Sequence, residues 1–211
     1  MILSRYTLYS GSSYTVYTSG TQTTSGLIAD AALSILENEG ATAVSMRRVA
    51  QAVGITPMAI YHHFPNREAL LNTITDREFE KLVSYIQAIP QNGSVEARFV
   101  QTALAYADYA LDRPRVFEYV FSAPRPGARR FPDDFQARHS PSMNLVADAI
   151  SNGMAAKFLK RDDIWEVAFT ITAYTHGFIT LYLGGRIALG RDEFRALVRR
   201  SLSRLLNGLK S

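Results

Sequence analysis

The sequence predicts an all-α fold in which a small helix-turn-helix unit precedes a larger helical bundle. Two observations carry this. From about residue 27 onward apolar residues recur at one-face helical spacing, with no internal repeat and no convincing strand alternation. Glycine and proline signals then divide the chain in two ways. Gly40, Gly54 and Pro65-Asn66 cut the first ninety residues into short helices, whereas beyond Pro90-Gln91-Asn92-Gly93 the helical stretches are longer and more apolar.

Residues 1–24 are mostly Ser, Thr, Tyr and Gly without a helical or sustained strand period, and a mobile N-terminal tail is expected there. The first helix follows, with Leu27, Ile28, Ala31, Ala32, Ile35 and Leu36 on one face and Gly40 where a C-terminal glycine belongs. Ser45 can cap a second helix that runs to Val53, turning Met46, Val49, Ala50 and Val53 inward and Arg47, Arg48 and Gln51 largely outward. Gly54 ends it. Thr56 as N-cap and Pro57 at the first helical position open a third helix over about 57–63, barely two turns long. After the Pro65-Asn66 break a longer helix runs from near Arg67 to Ile89. Further helices fall near 94–112, 114–122, 141–157, 161–187 and 191–209. Between two of them lies the proline-rich loop SAPRPGARRFPDDFQARHSP, of a length that often carries function. The expected division is a tail over 1–24, a helix-turn-helix domain over 25–72 and a larger domain over 73–211.

At 211 residues, with 47% hydrophobic and 20% charged residues, the chain is long enough for an ample core. The absence of cysteine excludes disulfides, thiolate metal sites and cysteine nucleophiles. The opening MILSRYTLYSGSSY lacks the apolar core of a signal peptide, and no uninterrupted apolar run reaches membrane-spanning length, so a cytoplasmic protein without a membrane partner is expected. The net charge of +4 is unevenly spread: residues 1–90 hold six basic and seven acidic residues. Global charge therefore does not argue for nucleic acid, and local clustering has to.

The third helix supplies that clustering. So short a helix buries little apolar surface, yet it carries Tyr61, His62 and His63 at its end. A short, polar-faced helix behind a tight Gly turn completes a helix-turn-helix. Such a helix fits a major groove about 12 Å wide, and its N-terminal amides favour a phosphate. Ala59 and Ile60 are small or inward. Tyr61 and His62 can hydrogen-bond phosphates or base edges, Thr56 offers a hydroxyl, and Met58 offers an apolar contact to a thymine methyl. Arg47, Arg48 and Arg67 would clamp the DNA backbone on either side. Adjacent histidines point about 100° apart on a helix, which disfavours a metal site there.

The stretch VSMRRVAQAVGITPMAIYHHFPNREALL, preceded by LIADAALSILENEGATAVS, resembles the TetR (tetracycline repressor) family of transcriptional regulators. Its most specific part is IYHHFPNREALL. Motif similarity covers about residues 25–80, and beyond that the helical layout agrees. The resemblance implies that Thr56, Pro57, Met58, Tyr61, His62 and His63 are recognition-helix positions and that Arg67 stands where the family has a phosphate-contacting lysine. It further implies a palindromic double-stranded DNA operator, a homodimer and a small-molecule effector. Many members place Arg or Lys just ahead of the first helix; TSGTQTTSG offers none, so no basic arm is expected.

The second half shows no catalytic constellation. His139 and His176 are its histidines, and neither has a nearby nucleophile, paired acid or metal-ligand spacing, so no enzyme, cofactor or metal is expected. AYTHGFITLYLGG resembles a short segment of some TetR C-terminal domains, and His176 reads either as a core histidine or as the polar group of a pocket. Apolar cavities between helices with a few polar handles are where ligands bind, and the resemblance implies an effector pocket here. The candidates are Phe99, Tyr106, Phe117, Tyr119, Trp165, Phe169 and His176, whose large apolar faces and few charges suit a small hydrophobic or aromatic effector. Phe194, Leu197, Val198, Leu202, Leu205, Leu206 and Leu209 form one stripe of the last helix, while the helix before it is apolar nearly all round from Ile164 to Leu183. Two such helices from each subunit would form a dimeric four-helix bundle; burial of the stripe within one subunit is the alternative. The function expected is that of a ligand-responsive homodimeric repressor. The alternative is a ligand-binding or scaffolding helical protein that has lost specific DNA binding.

Overall fold

In the computed structural model, which describes residues 2–7, 13–18, 23–90 and 92–211, six of the helices begin where a side chain takes up a free amide of the first turn. Thr23 accepts from the Gly26 amide at 3.2 Å and opens α1 (Thr24–Glu39); Ser45 accepts from Arg48 at 3.3 Å and opens α2 (Met46–Val53). Thr56 accepts from Ala59 at 3.1 Å for α3 (Pro57–Tyr61), and Asn66 from Ala69 at 2.8 Å for α4 (Arg67–Gln87). Ser94 opens α5 (Val95–Asp112). The short α6 (Pro114–Phe117) continues through a π-helical turn to Ser122, and α7 (Asp133–Gln136) is a single turn inside the proline-rich loop. Then come α8 (Pro141–Ala155), α9 (Ile164–Leu183), capped by Asp163, and α10 (Arg191–Leu209). Each cap satisfies amides that the helix cannot, and typically stabilises by about 1 kcal/mol.

Three expectations are corrected. The third helix ends at Tyr61 rather than 63, because His62 and His63 form a turn before Phe64. The ninth helix stops at Leu183, where Gly184-Gly185 take over: Gly185 is left-handed at φ 69° and the Arg186 amide returns to the Leu181 carbonyl at 2.8 Å. Strands also occur. Ile2–Thr7 (β1) pairs antiparallel with Ser13–Thr18 (β2), Ile2 opposite Thr18 and Thr7 opposite Ser13. The Thr, Tyr, Val and Ile content of these stretches supplies strand propensity without the alternation that a period search detects. Of the expected mobile tail, residues 1, 8–12 and 19–22 lie outside the described residues.

The chain forms two compact units. The first comprises Met1–Glu78 with Arg113–Gly127, the second Phe79–Asp112 with Ala128–Ser211, so the division falls within α4 and after α5. In the first unit Ile28, Ala32, Ile35 and Leu36 of α1 are buried with Val49 and Ala50 of α2, Ile60 of α3, and Leu70, Leu71 and Ile74 of α4. α6 packs on α1 through the same unit, burying Val116 and Phe117. In the second unit α5 packs on both α9 and α10, and α8 on α9. Ala103, Ala107 and Ala110 keep the buried face of α5 small enough for close approach.

Candidate nucleic-acid interface

α3 is held to its unit by few side chains. Ile60 is fully buried and Phe64, just past the helix, nearly so, while the helix is docked on α2. Between α2 and α3 the backbone turns at Gly54, left-handed at φ 76° and ψ 29°, with its amide bonded back to Ala50 and Gln51. No neighbouring atom lies within 4 Å of where a Cβ would stand, so it is the dihedral, not space, that calls for glycine.

With its inward side committed to Ile60, α3 and its C-terminal turn present everything else outward. Thr56, Pro57, Met58, Tyr61, His62 and His63 are all exposed, Met58 to 72% and Tyr61 to 50%. Each of the six sequence-predicted positions is therefore accessible. Large apolar and aromatic side chains left in water on so short a helix are unusual unless something covers them. The free amides at the start of α3 lie beside Thr56, whose hydroxyl takes one of them.

The three arginines separate. Arg47 is exposed on α2. Arg48 is half-buried, ion-paired to Glu39 and bonded to the Ala43 carbonyl at 3.4 Å. Arg67 donates from Nε to the Val44 carbonyl at 2.7 Å and from Nη2 to the Ala41 carbonyl, tying the start of α4 to the turn that precedes α2. Its expected part as a backbone clamp is thus joined by an internal one that spacing did not suggest, because partners 23 and 26 residues away leave no sequence signal.

The pocket candidates do not gather at one place. Phe117 and Tyr119 belong to the first unit, where Phe117 is buried core and stacks on Phe121 at 5.3 Å. The other five lie in the second unit. Phe169 of α9 meets Phe131 at 4.7 Å and Phe135 at 5.1 Å, ring centre to ring centre. Those two loop phenylalanines were missed, although their i, i+4 spacing around α7 marks a shared face. Trp165 faces the Arg138 guanidinium at 6.0 Å. Tyr106 and His176 share a hydrogen bond of 3.0 Å across α5 and α9. Burial holds the Tyr106 phenol far above its ordinary range and lowers the His176 imidazole, so both are neutral near pH 7. Phe99 is buried beside Gly153.

The α10 stripe also divides. Phe194, Val198, Leu202 and Leu206 are buried within the single chain, and Phe194 stacks on Tyr182 at 4.1 Å. They are core of the second unit, as the alternative reading of the stripe had it, because α5 and α9 both pack on α10 within the chain. Leu197, Leu205 and Leu209 remain partly exposed. On α9, Thr170, Ala173, Tyr174, Thr180 and Leu181 line an exposed face, the last at 49%. Among the described residues no helix is long and apolar enough to cross a membrane.

Residues 28–74 match the family model described as bacterial regulatory proteins, tetR family. Residues 99–205 match the model described as tetracyclin repressor-like, C-terminal domain. A curated relative, an uncharacterized HTH-type transcriptional regulator from Bacillus subtilis (strain 168), is 25% identical over 95 residues, 45% of this chain and 50% of that protein. The match thus spans half the length of that relative. A solved structure of a protein of unknown function from Rhodococcus sp. RHA1 aligns with a TM-score of 0.74 at 26% identity, covering 92% of this chain and 98% of that one. A putative tetR family transcription regulator from Shewanella sp. PV-4 aligns at 0.67 and 20% identity, covering 90% and 99%.

Proposed function

This chain belongs to the tetR family of bacterial regulatory proteins, and we propose that it is a ligand-responsive homodimeric repressor that reads a palindromic operator through α3 and leaves it when a small hydrophobic or aromatic effector binds. The families it matches are regulators, not enzymes. The observation that carries the proposal is the division of α3, one buried anchor at Ile60 against six exposed positions able to meet DNA. Arg47 beside the turn supplies a phosphate contact. The uncovered face of α9, together with Leu197, Leu205 and Leu209 of α10, supplies the surface on which a second copy seats. Two recognition helices must lie about one DNA turn, roughly 34–36 Å, apart to read a palindrome. The aromatic cluster around Phe169, with Trp165 and the Tyr106–His176 pair, is where the effector is expected.

The scaffolding alternative draws on two observations. Arg48 and Arg67 are engaged within the chain, and the first ninety residues carry no net basic excess. One experiment separates the two readings: selection of bound fragments from genomic DNA by the purified protein. Recovery of a common palindrome is expected, whereas recovery of random fragments alone would favour the scaffold.

A further inference from the structure

Asp112, the last residue of α5, and Arg113, which follows it, are each ion-paired within their own unit. Asp112 meets Arg191 of α10 at 2.6 Å, and Asp108, one turn earlier, meets Arg191 at 3.2 Å and also pairs with Arg195, all within the second unit. Arg113, the next residue, belongs to the first. Its Nε donates to Glu37 Oε1 at 2.7 Å, its Nη2 to the same oxygen, and its Nη1 to Glu78. The Arg113 side chain is 10% exposed and that of Glu78 3%. Burial alone would lower the guanidinium pKa, but the Glu78 and Glu37 carboxylates outweigh it and the net shift is upward.

What this clamp joins gives it consequence. Glu37 lies in the last turn of α1, just ahead of the turn into α2, and Glu78 is the residue of α4 at which the first unit ends. α4 is also tied to α1 by Arg77 and Asp30 at 3.0 Å, and to the turn before α2 by Arg67. Those ties use the N-terminal stretch alone. The Arg113 clamp, in contrast, is made by a residue far along the chain, 76 residues from Glu37 and 35 from Glu78. A buried ion cluster stabilises a fold no better than apolar packing would, yet losing one partner strands a charge. A fixed registry is the best-attested use of such a cluster.

We propose that Arg113 is a positioning residue for DNA recognition: by clamping Glu37 to Glu78 it sets α1 against α4 within the first unit. This rests on the DNA-binding reading above. The recognition side chains of α3 depend on α1, α2 and α4 for their placement, whereas charge contacts to phosphate do not depend on it as finely. Opening the clamp therefore costs discrimination before it costs general affinity.

The test begins with an operator selected from genomic DNA by the unaltered protein. If none is recovered, the DNA-binding reading fails and the proposal with it. With an operator in hand, Arg113→Met and Arg113→Lys are titrated against it and against a random duplex of equal length, alongside helicity and thermal midpoint. Arg113→Met is expected to lower operator affinity by about 5- to 150-fold, the usual span of coupled sites, with random-duplex affinity held within about twofold. Arg113→Lys should recover part of the loss. Equal losses on both duplexes, or no loss on the operator, overturn the positioning role. Should Arg113→Met not fold, Glu37→Gln carries the same comparison, because the Glu37 side chain is 36% exposed and its neutralisation buries no new charge.

Discussion

The Tyr106 hydroxyl and the His176 Nδ1 lie 3.0 Å apart, a polar bond between α5 and α9 in the second unit. Burial depresses the His176 pKa below its ordinary value of 6.5. Unfolding releases an imidazole that takes up a proton more readily than the folded one. The contribution of this group is thus complete above about pH 6.5 and is lost as pH falls toward the folded pKa. Urea midpoints of the unaltered protein should decline below that pH more steeply than those of His176→Gln. Parallel curves for the two proteins would remove His176 as the cause.

Ile60 and Met58, two residues apart on α3, should respond in opposite ways. Ile60→Ala empties a fully buried site and is expected to destabilise by about 2–5 kcal/mol. Met58→Ala, at an exposed position, should stay within about 0.5 kcal/mol. Denaturant unfolding measures both. Operator titration should reverse the ranking for Met58, altering base preference without touching stability.

Gly54→Ala isolates the turn. With open space around the Cβ, the cost is the left-handed backbone alone, about 1 kcal/mol or somewhat more. A thermal midpoint unchanged by this substitution would mean that the turn adopts another conformation.

The arginines are distinguished by salt. Arg47→Ala should reduce the slope of log affinity against log salt by roughly 2 for a dimer, at about 0.9 per lost phosphate contact, and leave stability intact. Arg67→Ala removes two bonds to backbone carbonyls, so a loss of about 1–3 kcal/mol of stability should accompany any change in slope. Equal stability in the two variants would count against the internal role of Arg67.

Dimerisation should depend on positions that the chain leaves uncovered. Leu205→Asp and Leu181→Asp are expected to give folded monomers by light scattering. Leu206→Asp, at a fully buried site, should unfold the second unit instead, because it strands a carboxylate in the core. Folded dimers from Leu181→Asp would place the interface elsewhere.

Local rules written in adjacent residues were legible in the sequence. Thr56 before Pro57, Gly54 after Val53 and the spacing of Val49, Ala50 and Ile60 determine a helix-turn-helix, because caps, left-handed turns and helical periodicity act within four residues. Of the recognition positions, Thr56, Met58, Tyr61 and His62 followed from side-chain chemistry on the short helix, and Pro57 and His63 from the family resemblance. What only tertiary structure decided is which partner covers an apolar stripe and where a long charged side chain ends. Phe194, Val198, Leu202 and Leu206 look like a dimer seam until α5 and α9 are both seen to pack on α10 within the chain. Phe117 reads as a pocket aromatic until α6 is found packed on α1. Arg113 finds Glu37 76 residues back, and Arg67 reaches Ala41 across 26. Burial and ion pairing over such separations depend on how helices are stacked, and no pattern along the chain encodes that stacking.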